Sequence, residues 1–219
     1  VLFNHDKLRE AACAQLTPEA HQRISRIVGL AVEAAHPDDP SYAGALAEHW
    51  RAAGEPARER AALMVYGAQL KRRAAFAQAR TVYARALDLL DLNDPSLDAD
   101  VRSFERAEVL SQLGEVSFVI SEYEAALAAL DECISLAGQV GARQAQARAL
   151  RRRADMYRLR GDYVRWESLL RDSLEIVRTL DDPAGLCISL KEMGYVRETQ
   201  GRYDDAMDAR CHARSRRTQ

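Results

Sequence analysis

The chain has 219 residues, of which 47% are hydrophobic and 29% are charged, so it can bury a continuous core beneath a well-solvated surface. Its formal net charge of -2 argues against the basic excess that general nucleic-acid and membrane-surface binders carry. No apolar run reaches the roughly 20 residues of a membrane-spanning helix, and no signal peptide opens the chain. We therefore expect a cytoplasmic protein. Its opening at Val1, without Met, predicts a piece of something longer.

The first sixty residues predict three helices that share no repeat register. The first covers residues 7–12. The second follows a Thr17 cap before Pro18 and runs to about Ala35, because proline is favoured at the first helical position. Residues 36–40 break the chain, and a third helix containing residues 46–50 ends near Gly54.

From about residue 57 the chain repeats itself. Leucines recur at a period of 40, and a glycine or alanine follows each of them four residues later. An earlier unit fits at a spacing of 47 residues. The equivalent leucines are Leu63, Leu110, Leu150 and Leu190, and the equivalent small residues are Gly67, Gly114, Ala154 and Gly194.

Each unit predicts two helices joined by a short polar turn. In the third unit, Leu150, Ala154 and Tyr157 recur at i, i+4 and i+7, which is one face of a helix. No segment shows sustained strand alternation. Three helix starts carry cap residues: a capping box at Ser121-x-x-Glu124, Asp162 after Gly161, and Asp182 before Pro183.

The small residues mark the places where the two helices of a unit cross, because backbones approach closely only over short side chains. No unit can bury its own apolar face, so we expect stability to come from stacking. Trp166 stands where an alanine is expected, so the third unit must pack differently or open slightly. Cys133 and Ser173 replace a later alanine, a mild change. Arg210 lies in a last helix too polar for an interior unit, so that helix either caps the stack or the natural chain continues.

These residues resemble the tetratricopeptide repeat (TPR) over roughly residues 57–217. The pattern is L-x-x-L/M-G/A, then G-x-Y-x-x-A, then an aliphatic residue or tyrosine, and the 40-residue period is similar to the elongated repeats of large bacterial regulators. The resemblance implies an all-α fold, an α-solenoid with a right-handed superhelix of TPR-like helix pairs. The predicted units lie near residues 57–92, 98–139, 142–179 and 183–217, within a repeat region of 39–219. Further matches are Phe76, Ala79, Tyr83 and Ala86; Leu113, Tyr123, Ala126 and Leu130; Gly161, Tyr163 and Leu170; Met193, Gly201, Tyr203 and Ala206.

The start of the chain resembles the junction that follows the ATPase core in bacterial STAND-class signalling ATPases, such as LuxR-type regulators and cyclase- or kinase-linked ATPases. The matching phrases are F-x-H-D-x-x-R-E-A from Phe3 and L-A-x-H-x-x-x-A-G from Leu46. The resemblance implies that residues 1–38 are a remnant of a preceding winged-helix or ATPase-linked region. It also implies that His5 and Asp6 sense nucleotide phosphates in a full-length ATPase. Without the rest of a nucleotide site, a surface or cap role for His5 is the alternative.

Sequence patterns for catalysis are missing. There is no G-x-x-x-x-G-K-[ST] loop, no G-x-G-x-x-G and no H-E-x-x-H. The five histidines are scattered, and the four cysteines, Cys13, Cys133, Cys187 and Cys211, form no C-x-x-C pair. We therefore predict no catalytic residues, no metal site, no cofactor, no disulfide framework and no enzyme activity.

In the TPR family, the first helix of each unit lines a groove that binds partners. The resemblance points positions i, i+3, i+7 and i+10 of that helix inward, which places several arginines in the groove of the third unit. The predicted partner-binding residues are Arg148, Arg151, Asp155, Arg158, Lys191 and Tyr195. Arginine binds carboxylates and phosphates in two-pronged fashion, so one hypothesis is an acidic or phosphorylated protein or peptide. The alternative is internal pairing of the arginines with Glu108, Glu115 and Asp155.

The leading functional hypothesis is a protein-interaction or ligand-sensing module of a larger cytoplasmic ATPase that signals or regulates transcription. A stand-alone adaptor that assembles proteins or dimerises is the second hypothesis. A peptide or small-molecule receptor is the third. No direct contact with nucleic acid or membrane is expected.

Overall fold

A computed structural model describes residues 16–91 and 97–202 of the chain. These residues belong to two compact units, which divide between Leu92 and Asn93. Every regular element in the two described ranges is helical, as the sequence predicted. The predicted helix at 7–12, the last helix with Arg210, and the residues His5 and Asp6 lie outside the described ranges.

In the first unit, the first helix of the described residues starts where the Thr17 cap predicts. The Thr17 hydroxyl oxygen accepts a hydrogen bond from the Ala20 amide at 3.2 Å. The third element ends at Gly54, whose φ of 70° is the left-handed conformation that stops a helix. Consecutive helices pack on one another. The elements are α1 (Pro18–Ala35), a 3-10 turn (Pro40–Tyr42), α2 (Ala43–Ala53), α3 (Pro56–Arg72) and α4 (Phe76–Asp91).

A buried carboxylate connects three helices of the first unit. Glu59 of α3 is 2% exposed. It accepts a hydrogen bond from Arg51 of α2 at 2.9 Å, and Arg85 of α4 donates two more, from Nε at 2.9 Å and from Nη2 at 3.2 Å. The hydrogen bonds that Arg85 donates to Glu59 raise the pKa of Arg85 against the opposing effect of burial. Because charged hydrogen bonds compensate the buried charge, this cluster is a structural contact.

Residues 97–202 of the second unit form five helices, and each packs on its neighbour in sequence order. Two predicted caps are confirmed: Asp162 accepts from the Arg165 amide at 3.1 Å, and Asp182 accepts from the Gly185 amide at 2.8 Å. The helices are α5 (Ala99–Val119), α6 (Tyr123–Val140), α7 (Arg143–Leu159), α8 (Tyr163–Arg178) and α9 (Pro183–Thr199).

The predicted capping box at Ser121 is wrong. The helix begins at Tyr123 after Glu122, and no side chain caps it. Ser121 instead ends the turn after α5, where its amide donates to the Phe118 carbonyl at 3.0 Å and its φ is 65°. The equivalent residue one repeat later is Gly161, with a φ of 76°. Ser121 therefore holds a left-handed position that the repeat otherwise gives to glycine.

The small residues lie where helices cross, as predicted. A Cβ added at Gly67 of α3 would lie 2.5 Å from the ring of Tyr83 in α4. A Cβ added at Gly114 of α5 would lie 2.7 Å from Leu130 in α6. Tyr83 and Leu130 are fully buried, so the glycine on one helix makes room for the large side chain on the next.

The second and third repeats accommodate their departures from the pattern within the core. Trp166, which replaces the expected alanine, is 2% exposed and packs with Ala154, Leu170 and Met193. Ser173 and Cys133, which stand where alanines are expected, direct their polar side-chain atoms at backbone carbonyls. The Ser173 hydroxyl donates to the Ala147 carbonyl at 2.9 Å, and the Cys133 thiol contacts the Ala107 carbonyl at 3.2 Å.

Among the described residues, no helix is long and apolar enough to cross a membrane. Cys133 and Cys187 are thiols rather than halves of a disulfide. Burial raises the pKa of Cys133 to about 12, which makes its reactive thiolate form scarce at neutral pH.

Gly67→Ala will lower the free energy of unfolding by about 1–3 kcal/mol, because the added methyl group meets the rigid ring of Tyr83. Gly138→Ala in α6 is the control. Its nearest neighbour is the flexible end of Gln146 at 3.3 Å, so the higher helix propensity of alanine will leave stability equal or raise it by about 0.5–1 kcal/mol. Urea denaturation measures both. Equal effects of the two substitutions would contradict the crossing.

Ser121→Gly will raise the free energy of unfolding by about 0.5–1 kcal/mol, because glycine adopts the left-handed conformation of this turn without the cost of about 1–2 kcal/mol that a residue with a Cβ incurs. Ser135→Gly, at an exposed helical position of α6, will lower it by about 0.5 kcal/mol. Urea denaturation of the two variants checks the sign. Destabilisation by both would show that the Ser121 side chain contributes more than its backbone conformation costs.

Candidate functional site

Helix α7 lies between α5 and α9 in the second unit, and its arginines reach towards both neighbours. We call this surface the α7 ion-pair face. Four arginines are paired on it with four carboxylates, so its formal charge is balanced. The cations are Arg148, Arg151, Arg152 and Arg158, and the anions are Glu108, Glu115, Asp155 and Glu192.

Arg148 binds the neighbouring helix α5. Its Nε donates to the Ser111 hydroxyl oxygen at 3.1 Å, and its Nη2 donates to the Glu108 carboxylate. About a quarter of each of these two charged side chains is exposed. The internal pairing of Arg148 with Glu108, which the sequence left open, is thus present in the folded chain.

Arg152 is the member that the sequence analysis missed. Its guanidinium donates to Glu115 of α5 at 2.8 Å and to Asp155 on its own helix at 3.1 Å. Burial by itself would lower the pKa of Arg152, but the attraction and hydrogen bond of Glu115, with Asp155, raise it overall. The charge of Arg152 is therefore well compensated.

Arg151 is the most buried of these arginines and the least well paired. Its side chain is only 11% exposed. Its Nη1 donates to the Ser189 hydroxyl oxygen of α9 at 3.3 Å, and its Nε lies 3.8 Å from the Glu192 carboxylate. Burial lowers the pKa of Arg151 and raises the pKa of Glu192, and their mutual attraction offsets only part of both shifts. Each charge therefore costs more to bury than the other returns.

The remaining predicted residues lie at the edges of this face. Arg158 stands 3.7 Å from Asp155. Lys191 and Tyr195 are exposed on α9, and the Tyr195 ring packs edge to face on Trp166 at 5.6 Å. The residues of α9 that meet Arg151 are Ser189 and Glu192, and Glu192 lies one position after the predicted Lys191.

This one-residue shift explains what the sequence missed. A step of one residue along a helix changes the direction of the side chain by about 100°. The 40-residue period predicts which residues of successive repeats are equivalent, but it does not predict how each helix is rotated about its own axis. The observed contacts join residues 37 to 41 positions apart, from the Arg152–Glu115 pair to the Arg151–Glu192 pair. Opposite charges at such separations were the available signal for Arg152.

Metal ligands do not converge in either described range: no group of three His, Cys, Asp or Glu side chains could hold an ion there. The predicted nucleotide-sensing pair, His5 and Asp6, is outside those ranges.

Glu192→Gln will stabilise the protein at pH 7, and the gain will vanish below about pH 4. The folded-state pKa of Glu192 is raised, so its ionisation opposes folding. The destabilisation caused by ionised Glu192 is absent when the pH is below the unfolded-state pKa, and it reaches its full size when the pH is above the folded-state pKa. Urea denaturation at both pH values measures the difference.

Glu115→Gln is the matched control. It will lower the free energy of unfolding by about 1–3 kcal/mol at pH 7, because Arg152 then lacks its close charged partner. The same sign for both substitutions at pH 7 would contradict the contrast between the two ion pairs.

Comparisons with known proteins locate the fold. No protein-family model matches the chain, and no curated protein matches it. Solved structures do match. BtubC (BKLC) from P. vanneervenii shares 16% sequence identity over 93% of this chain and 92% of its own, with a TM-score of 0.59. MamA, from residue 41 to its end, from Desulfovibrio magneticus RS-1 shares 14% identity over 90% and 96%, with a TM-score of 0.57.

A putative kinesin light chain from Podosopora anserina, described by its nearly identical TPR-like repeats, shares 11% identity over 90% of this chain and 93% of its own, with a TM-score of 0.53. At such identities the similarity concerns the fold alone. The helix pairs and these similarities together give the chain an all-α solenoid fold of the TPR type.

Proposed function

We propose that this chain is a protein-interaction module whose α7 ion-pair face binds an acidic or phosphorylated segment of a protein or peptide. Stacked helix pairs present side chains from successive units on one continuous surface, which suits the recognition of extended partners. The predicted groove residues Arg148, Arg151, Asp155 and Arg158 are all members of this face. Lys191 and Tyr195 add an exposed cation and an exposed ring on the neighbouring α9.

The state of Arg151 is the observation that carries the proposal. Arg148 and Arg152 each have a carboxylate at hydrogen-bond distance, whereas the nearest carboxylate of Arg151 lies at 3.8 Å. A guanidinium that is almost buried and loosely paired gains most from another anion, because desolvated charges interact strongly. A partner's carboxylate or phosphate would supply the close, two-pronged contact that Glu192 does not make.

Binding would exchange an internal acid for an external one. An incoming anion at Arg151 would release Glu192, whose buried carboxylate oxygen has no hydrogen-bond partner among the described residues. Because Glu192 belongs to α9 and Arg151 to α7, the exchange would change the contact between successive helix pairs. A ligand that prefers one arrangement of these helices shifts the equilibrium towards it, which is the mechanism we propose for sensing.

In its larger context, we propose that the module senses ligands for a cytoplasmic signalling or transcription-regulating ATPase, in which His5 and Asp6 sense nucleotide. Support comes from the two sequence phrases that begin at Phe3 and Leu46. A stand-alone adaptor, homodimeric or not, is the alternative, and a peptide or small-molecule receptor is a third. A phosphate-binding loop encoded upstream of Val1 would favour the ATPase, and a nearby start codon would favour the adaptor.

Arg151→Ala will weaken the binding of a fluorescein-labelled glutamate-rich peptide, or its phosphoserine counterpart, by about 10-fold or more. The loss of a charged hydrogen bond of about 1.5–3 kcal/mol corresponds to such a factor. Fluorescence anisotropy at low and moderate salt measures the affinity. The peptide that binds more tightly identifies the preferred anion.

Arg165→Ala controls for net charge, because Arg165 is exposed on α8 and its ion pair is with Asp162 of its own turn. We expect less than a threefold change for this variant. Equal weakening by both variants would mean that the peptide responds to overall charge, and unchanged affinity in Arg151→Ala together with Arg158→Ala would exclude the proposed site.

A further inference from the structure

A cleft of about 590 Å³ opens beside the first turns of α6 in the second unit. Its apolar part is formed by Leu127 and Ala128, and the ring of Tyr123, 42% exposed, contributes aromatic surface. Three charged side chains also line the cleft: Arg160, in the turn after α7, and the carboxylates Glu124 and Asp131. None of these residues belongs to the α7 ion-pair face.

The charged side chains around the cleft differ in whether they form ion pairs. Asp131 is held by Arg153 at 2.7 Å. Within residues 97–202, the Arg160 guanidinium forms neither a hydrogen bond nor an ion pair, and neither does the Glu124 carboxylate. The cleft thus offers apolar surface beside a cation with open binding capacity, together with one acid that would repel a second negative charge.

The next repeat shows how the same position is closed. Forty residues further on, Glu167 stands in place of Leu127 and Gln200 in place of Arg160. The Gln200 amide donates to Glu167 at 2.6 Å, and Arg171, the equivalent of Asp131, donates to the other carboxylate oxygen at 2.6 Å. These hydrogen bonds form a bridge that joins α8, which carries Glu167, to the turn after α9, which carries Gln200. Leu127 has no group that could make this bridge, so the earlier cleft stays open.

We propose that this cleft is a second peptide-binding site, which takes a partner segment with one apolar residue next to one acidic residue. The apolar side chain lies on Leu127 and Ala128 against the Tyr123 ring, because tyrosine supplies large contact area at low cost in conformational entropy. The acidic group pairs with Arg160, whose planar fork matches a carboxylate. Glu124 disfavours a second acid in the same segment, which sets this partner apart from the highly acidic ligand of the α7 ion-pair face.

The test uses substitutions that the protein already contains one repeat later. Leu127→Glu with Arg160→Gln introduces the two side chains that bridge the equivalent position one repeat later, Glu167 and Gln200, and removes both the apolar surface and the cation of the cleft. Arg171, the third member of that bridge, is replaced here by Asp131. A phage-displayed library of short random peptides is selected on the unmodified chain. Selected peptides are then measured by fluorescence anisotropy and by NMR shifts at Leu127. We expect an apolar residue beside a single Asp or Glu, and at least a tenfold loss of affinity in the double variant.

The reverse substitutions, Glu167→Leu with Gln200→Arg, remove the bridge and place an apolar residue beside an arginine at the same register. We expect them to raise the stoichiometry from one peptide to two. The single variant Arg160→Gln keeps the apolar surface, and it will weaken only peptides that retain the acidic residue. If circular dichroism shows that either double variant is unfolded, the effect of Arg160→Gln on peptides with and without the acidic residue tests the site instead.

Arg151→Ala will leave these peptides bound, which separates this site from the proposed function. The proposal is overturned if the library yields no peptide. It is also overturned if the selected peptides lack an acid, or if Arg160→Gln binds them as tightly as the unmodified chain.

Discussion

The close approach of paired helices is the constraint on which the rest of this structure depends. Gly67 and Gly114 leave room for Tyr83 and Leu130, and the resulting contacts bury residues that no single helix could remove from water. Once the helices meet at these points, their remaining faces are directed at neighbouring units. The stack therefore fixes which polar side chains meet one another, although none of them drives the packing.

Charge pairs on α7 follow from that geometry and differ sharply in quality. Arg152 and Glu115 meet at hydrogen-bond distance, while Arg151 and Glu192 are buried together at 3.8 Å. Both kinds of pair have balanced formal charge, so the net charge of -2 for the chain gives no hint of the difference. A loosely paired buried charge contributes little to stability, which is why we propose a binding role for Arg151.

The repeats share a backbone plan but not a surface. At the same register, Leu127 with Arg160 leaves a cleft, while Glu167 with Gln200 closes one by a hydrogen bond. Ser121 occupies the left-handed turn position that Gly161 fills in the next unit. We therefore propose that binding specificity in this chain arises from departures within the repeat, because packing occupies its regular positions.

Local signals along the chain predicted the helical fold class, the helix ends near Ala35 and Gly54, and the small residues at the crossings, because apolar periodicity, caps and steric limits act over short stretches of sequence. The sequence also predicted Arg151 as a member of the surface that we propose binds a partner. The tertiary structure alone decided that Arg152 belongs to that surface, that Ser121 is a turn residue, and that Glu192 is the weak partner of Arg151. Those outcomes depend on the rotation of each helix about its axis, which packing against both neighbours sets and a repeat period does not encode.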